Sequence, residues 1–407
     1  MIYVALPVYN EMPHLSRTVN CVLSQSEQDF KLICCVNQPD VFWTDEHKIH
    51  ICHNNQSAIN YLKSLNDDRI SVLDYSSQGK GWKNNKIGVG MARKVTMDYI
   101  ASIAEKHDII LCLDADTVFC KDYFKSIAEN ISQNPDIMAI SVPYYHILSE
   151  DENLNKALLR YEIYMRAYLI NMYQINNPFS FTALGSAIAT PVWAYNKIGG
   201  MAPKKSGEDF YFLQSMVKSG KISNYNSKMV FPATRFSDRV FFGTGPALIK
   251  GNKGDWSSYP IYSTKLFDDI GKTFNLFEKL FFGDVATPID DFLIETFGHL
   301  PWEKLRNNCK DTYTFVKACY QKIDGLRILQ YLKKNQLQDD SSDTKYLSEL
   351  LQLYNIDISK TIGNLNLTDL NIIDLDRIRN ILFDIEMQYR YKEYKKRPNS
   401  LLGLFPF

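Results

Sequence analysis

Asp114-Ala115-Asp116 follows directly on the apolar run Ile109-Ile110-Leu111-Cys112-Leu113. Two carboxylates at the end of a buried strand offer hard oxygen ligands for Mg2+ or Mn2+. An ion held there could bridge the two phosphates of a nucleotide diphosphate and neutralise the charge of a leaving group. Aspartate also favours turns and helix N-caps, a reading that accounts for one of the pair and leaves the other without a role. The second acidic pair is Glu208-Asp209, behind Gly207, at the head of a stretch in which Phe210, Leu213 and Met216 recur at helical spacing. Acids in a first helical turn suit the helix dipole, so helix initiation explains them by itself. A carboxylate in that place could equally take the proton of a hydroxyl, which is a poor nucleophile at neutral pH. The pair alone does not decide between the two.

These residues need elements to hold them. Residues 2–6 form a short apolar run that ends at Pro7, residues 31–36 and 70–74 form two more, and residues 109–113 form the clearest. Between them lie helical stretches, one over 13–24 and one over 88–105, where Ala92, Val95, Tyr99 and Ile103 share a face. Repeated strand–helix–strand order predicts a mostly parallel sheet covered on both faces, with ligands bound beyond the carboxyl ends of its strands. Three of those ends are polar: Tyr9-Asn10-Glu11, Asn37-Gln38 and Asp114-Ala115-Asp116. After residue 250 strand signals fade and helical periodicity with charged faces takes over. The expected organisation is an α/β domain over 1–250 and a mainly helical accessory region over 251–407.

Composition narrows the function classes. Lysine plus arginine equals aspartate plus glutamate, 46 against 46, so no overall field draws nucleic acid and no such partner is expected. Aromatic residues make up 13%, which reads as a bulky core. The eight cysteines form no Cys-x-x-Cys pair, and Cys34, Cys35 and Cys112 lie in apolar runs, so free buried thiols in a reducing compartment are expected. With no basic leader before Ile2 and no stretch of about 18 uncharged apolar residues, the expected location is the cytoplasm. Gly79-Lys80-Gly81 and Gly88-Val89-Gly90 lack the spacing of a Walker loop or a dinucleotide fingerprint. His53 and His146 read as ordinary surface or core residues.

Taken in order, Leu6-Pro7-Val8-Tyr9-Asn10-Glu11, Ala92-Arg93, Asp114-Ala115-Asp116, and Gly199-Gly200 shortly before Glu208-Asp209 resemble family-2 glycosyltransferases of the GT-A fold. The resemblance covers residues 2–245 and leaves 246–407 outside it. It implies a Rossmann-like sheet flanked by helices. It also implies transfer of a sugar, with inversion, from a UDP- or GDP-sugar donor to a hydroxyl of a saccharide or lipid-linked acceptor. A divalent ion, Mn2+ or Mg2+, is the implied cofactor, and bacterial surface polysaccharide or glycoconjugate synthesis the implied setting. Carried over by position, Pro7, Tyr9 and Glu11 lie against base and ribose, and Asn37, with Gln38 as second candidate, reads the base. Arg93 holds a carboxylate or phosphate of the nucleotide site. Asp114 bonds the ribose or a metal-bound water, Asp116 ligates the metal with Asp114 beside it, and Gly185 and Ser186 build the acceptor side. Asp209 is the implied catalytic base and Glu208 its partner.

The sequence departs from the family pattern in one place. Many relatives carry a further metal-binding histidine some twenty to thirty residues after the acidic pair, whereas here the window Phe231 to Arg239 holds none. Either fewer protein ligands hold the ion, or Asp238 substitutes, or Arg235 and Arg239 share the neutralisation of phosphate, which a guanidinium grips bidentately. Phe242-Gly243-Thr244-Gly245 is either a lid over the donor or an ordinary interdomain loop. The tail carries Arg390, Lys392, Lys395, Lys396 and Arg397 before the apolar Leu401–Phe407. It reads either as a peripheral contact with the inner face of a membrane or as a solvated helix docked on its own domain. Two rival functions share these motifs: a retaining transferase, which does not need Asp209 as base, and a catalytically inactive scaffold of the same fold.

Overall fold

Ile2-Tyr3-Val4-Ala5-Leu6-Pro7-Val8 carries no charge, and all seven residues are buried as strand β1 (Ile2–Val8). A strand buried on both faces belongs in the middle of a parallel sheet. In the computed structural model, which describes residues 1–83, 88–236, 243–336, 340–359, 363 and 366–395, β1 occupies that place. It pairs in parallel with β2 (Phe30–Asn37) on one side and β4 (Ile109–Cys112) on the other, and β3 (Ile70–Tyr75) pairs with β2. The sheet continues past β4 through β7 (Ile188–Pro191), β6 (Ala139–Ser141) and β8 (Ile222–Ser223), giving the order β3-β2-β1-β4-β7-β6-β8. Both pairings of β7 are antiparallel. A separate ribbon joins β5 (Thr117–Phe119) to β9 (Val230–Pro232), also antiparallel, with Thr117 opposite Pro232.

The strand period of two sends alternate residues to opposite faces. Val4, Leu6 and Val8 join an apolar cluster with α1 (Met12–Leu23), α2 (Ile49–Ser64) and α4 (Tyr123–Gln133). Tyr3 and Ala5 belong to the other cluster, with α3 (Val89–Ile103), α6 (Val192–Lys197) and α7 (Glu208–Ser219). That second cluster does not stop at the sheet's own helices. Phe267, Phe274, Phe277, Phe292, Trp302, Phe315 and Leu332 extend it through α9 (Thr264–Asn275), α10 (Phe277–Phe282), α11 (Asp290–Phe297), α12 (Trp302–Asn307), α13 (Thr312–Lys322) and α14 (Gly325–Asn335). The C-terminal region is helical as expected, and it shares one apolar core with the sheet. The expected boundary between 250 and 251 falls inside α8 (Thr244–Gly251).

α5 (Glu152–Gln174) and the long α16 (Ile372–Lys395) enclose a buried polar network, while α15 (Asp340–Gln352) adds Leu347, Leu350 and Leu351 to the apolar cluster beside it. Glu386 receives the Arg390 Nε at 2.7 Å and the Arg166 Nη1 at 2.6 Å, and all three side chains are buried. Arg390 also donates to the carbonyls of Ser141 and Asn224, which tethers α16 to the ends of two strands. Glu162 receives His146 Nδ1 at 2.6 Å and Arg379 at 3.3 Å, and the Arg166 guanidinium 3.5 Å away, with the His146 hydrogen bond and Arg379, holds its carboxyl down at about 2 against the opposing effect of burial. Arg390, expected in a solvated or membrane-facing basic tail, is thus a core residue, and His146 is one too. Lys396, Arg397 and Leu401–Phe407 lie outside the described residues. No described helix is long and apolar enough to cross a membrane, and all eight cysteines are free.

Breaking a buried ion pair from one side leaves an uncompensated charge and costs about 3–5 kcal/mol. Glu386→Ala strands two buried guanidiniums, so a loss of that size is expected in urea unfolding. Lys392→Ala, at an exposed position of the same helix, is expected to cost less than about 1 kcal/mol.

Candidate functional site

The first acidic pair sits where the sheet changes direction. Leu113 N–H still bonds the Ala5 carbonyl beyond β4, and Thr117 N–H turns back onto the Asp114 carbonyl at 3.1 Å to begin β5. This turn projects Asp114 and Asp116 beyond the carboxyl ends of the parallel strands. Asp114 is 37% exposed and Asp116 13%. Behind Asp114 lies Arg93 of α3, only 2% exposed, whose Nη2 donates to Asp114 Oδ1 at 2.6 Å. The same guanidinium places Nη1 3.5 Å from Glu208 Oε1. Burial works against its charge, yet Asp114 and Glu208 outweigh that and keep it protonated. Arg93 was expected to hold a carboxylate or a phosphate. It holds two carboxylates and is buried beneath them.

Glu208 and Asp209 form the first turn of α7, entered through Gly207 at φ 70°, a left-handed conformation that glycine adopts without strain. The helix therefore starts abruptly and places Glu208 against Arg93 with Asp209 beside it. Glu208 is buried, and burial raises its carboxyl against the pull of Arg93. Asp209 is half-buried; loss of water contact and the Glu208 charge push it up to about 7, again against Arg93, and its Oδ1 accepts the Phe210 N–H at 2.8 Å. A carboxyl poised near neutrality is the condition a general base requires.

The turn that carries these acids rests on glycines that sequence spacing had discarded. A Cβ at Gly90 would lie 2.1 Å from the Lys204 carbonyl oxygen, and one at Gly88 would lie 2.9 Å from that of Lys205. The start of α3 and the segment leading into α7 can touch because both positions lack side chains. Gly185 does the same for Arg93, whose Nη1 would be 1.9 Å from a Cβ there. Gly185 and Ser186 are both buried, with Gly185 against the Arg93 guanidinium.

A third carboxylate comes from the loop after β1. Asn10, at φ 55°, donates its N–H to Asn55 Oδ1 of α2, and Met12 N–H bonds Asn54 Oδ1, which fixes Glu11 between them. Both oxygens of Glu11 accept from Arg235, at 2.7 and 2.9 Å, and Arg235 Nη2 lies 2.5 Å from Asp116 Oδ2. The β5–β9 ribbon brings Arg235 here, because Asp116 precedes one of its strands and Arg235 follows the other. Glu11 was expected against the base and ribose; here its carboxylate is given to Arg235. Asn37 and Gln38 are likewise spent on the protein. Asn37 Nδ2 donates to the Val8 and Cys35 carbonyls and its Oδ1 accepts from Trp82 Nε1, while Gln38 bonds Asn55 and the Cys52 thiol. Trp82 stacks on Tyr75 at 4.3 Å, an aromatic wall at this strand end that sequence reasoning did not single out. Pro7 is buried within β1, and Tyr9 is partly exposed at its end. Arg239 and Asp238 lie outside the described residues, as does Phe242. Gly243 caps α8 and Thr244-Gly245 form its first turn, so this part of the expected lid or loop is helix.

The donor set fits a divalent ion of a particular kind. Among the described residues, Glu11, Asp114 and Asp116 converge on the guanidiniums of Arg93 and Arg235. Among the described residues no three acidic, histidine or cysteine groups close into a metal cage. Among the described residues Asp114 and Asp116 are the available aspartates, a ligand set suited to Mg2+ or Mn2+, which completes its shell with phosphate oxygens and water.

No model of a known protein family matches the chain, and no curated protein does. Several solved structures are similar to it. S. aureus TarS 1-349 in complex with UDP-GlcNAc is 13% identical, with a TM-score of 0.39 over 98% of this chain and 93% of that one. GalNAc-T7 with UDP, GalNAc and Mn2+ is also 13% identical, with a TM-score of 0.40 over 79% and 57%. The mannosyltransferase PcManGT from Pyrobaculum calidifontis, with GDP-Man and Mn2+, has 13% identity and a TM-score of 0.38 over 93% and 86%. The superpositions are loose, so the functional reading rests on the geometry of this cleft.

In an open helix, replacing glycine by alanine stabilises by about 0.5–1 kcal/mol. Gly90→Ala is expected to do the reverse, because its methyl meets a backbone carbonyl. A loss of about 1–3 kcal/mol should appear in urea unfolding.

Proposed function

We propose that the chain transfers a sugar from a nucleotide-diphosphate donor to an acceptor hydroxyl with inversion at the anomeric carbon. The observation that carries this reading is the single buried guanidinium, Arg93, that ties Asp114 at the end of β4 to the Glu208-Asp209 turn. A charged strand-end cleft suited to a diphosphate is thereby fixed beside a carboxylate suited to proton abstraction. The donor is a UDP- or GDP-sugar, the acceptor a saccharide or lipid-linked saccharide, and the biological setting surface polysaccharide or glycoconjugate synthesis.

In this reading Asp209 accepts the proton of the attacking hydroxyl. Glu208 and Arg93 set its orientation, and Arg93 keeps Asp114 in place on the donor side. Asp116 and Asp114 would hold the divalent ion, which supplies neutralising charge to the departing diphosphate. Trp82 and Tyr75 offer an apolar wall for the base, with Asn37 holding Trp82 in position. The reaction is one in-line displacement, in which orientation and charge compensation provide most of the rate.

Asp209→Asn keeps the shape of the site and removes the base, so transfer is expected to fall by about 10²–10⁴-fold while donor affinity changes little. With Asp209 titrating at about 7, only its ionised form is active. The wild-type rate should fall with acid below that pH, about tenfold per unit, and level off above it. Product analysis by NMR reads the configuration as well. A retained anomer, or an Asp209→Asn variant as fast as wild type, would remove Asp209 from the role of base.

A further inference from the structure

The two arginines of the cleft differ in one respect that bears on how ligands enter. Arg93 is 2% exposed and locked beneath the site, whereas the Arg235 side chain is 23% exposed and stands at its mouth. Its guanidinium bridges Glu11 and Asp116, which belong to different loops, and it reaches them from a third segment beyond β9. It therefore sits on a carboxylate that a divalent ion would need. A guanidinium and a divalent ion repel each other if both are held at Asp116.

We infer that Arg235 is the exchangeable counter-ion of the ligand-free cleft: its guanidinium and a divalent metal ion compete for Asp116. An ion arriving with a nucleotide diphosphate releases Arg235 from Asp116, and the freed fork meets the diphosphate, whose oxygens match its geometry. Metal alone has to break the Arg235–Asp116 pair with no phosphate to replace it, and the guanidinium keeps only Glu11, so the ion binds weakly. Metal and nucleotide together bind each other's sites more tightly by the same factor, as linkage requires. The inference rests on the reading of the cleft as a nucleotide-sugar site, but the competition at Asp116 can be measured without any nucleotide.

The test is Mn2+ binding to the full chain, followed by loss of the free-ion electron paramagnetic resonance signal, without nucleotide and then with UDP or GDP. Arg235→Met should bind Mn2+ alone at least about tenfold more tightly than wild type, with Arg235→Lys in between and Asp116→Asn abolishing the gain. In wild type, UDP or GDP should tighten Mn2+ binding at least about tenfold, and Arg235→Met should lose most of that coupling. Unchanged or weaker Mn2+ affinity in both natively folded Arg235 variants would overturn the competition. So would tight Mn2+ binding that survives Asp116→Asn in the Arg235→Met background. If Arg235→Met gains Mn2+ affinity while neither form responds to UDP or GDP, the competition stands and the nucleotide-sugar reading fails.

Discussion

Carboxylates gathered in one place must be compensated, and the architecture of this cleft follows from how that is done. Arg93 does it from below, with Asp114 at 2.6 Å and Glu208 at 3.5 Å. A guanidinium with 2% exposure can stay charged only because both partners remain, and they can remain only while β4, α3 and α7 keep their relative positions. Gly88, Gly90 and Gly185 are the consequence in backbone terms, since each marks a contact that a side chain would break. Arg235 compensates from above, between Glu11 and Asp116, and remains open to exchange.

The same economy of charge recurs at a distance from the cleft, with a different outcome. Glu162, Glu386, Arg166, Arg379 and Arg390 are all buried between α5 and α16, and their network reaches the Ser141, Tyr144 and His146 carbonyls. The Tyr144–Tyr145 segment in turn pairs with Val230 at the head of the ribbon that presents Arg235. The last long helix thus supports the segment on which the cleft depends. Together with the aromatic residues of α9 to α14, which complete one face of the sheet, it makes the helical region part of the α/β fold's core.

Much of this was legible in the sequence for identifiable reasons. The parallel strands announce themselves as uncharged runs because both their faces are buried, and the polar residues at their ends mark the ligand side of the sheet. Asp114, Asp116, Glu208 and Asp209 stand out because each pair follows a clear structural boundary. What the sequence does not display is pairing at long range. Residues 117–119 and 230–232 are too short to read as strands, yet their ribbon delivers Arg235 to Asp116. Gly88 and Gly90 fit no phosphate loop and so carry no signal, because their role is a contact with Lys204 and Lys205. Arg390 looks like a basic tail residue because its partner Glu386 lies one helical turn back and the strand-end carbonyls it reaches are far away in sequence. Asn37 occupies the expected strand end, but its hydrogen bonds go to the backbone and to Trp82, which only three-dimensional packing reveals.

The most direct measurement is a crystal structure of the full chain grown with Mn2+ and a nucleoside diphosphate, UDP or GDP. The expected density lies across the carboxyl ends of β1 and β4, with the ion on Asp116 and a phosphate oxygen within about 3 Å of the Arg235 guanidinium. Asp209 should face the position a transferred sugar would occupy. A nucleotide bound elsewhere on the molecule, with Asp114, Asp116 and Arg235 untouched, would contradict the assignment of this cleft.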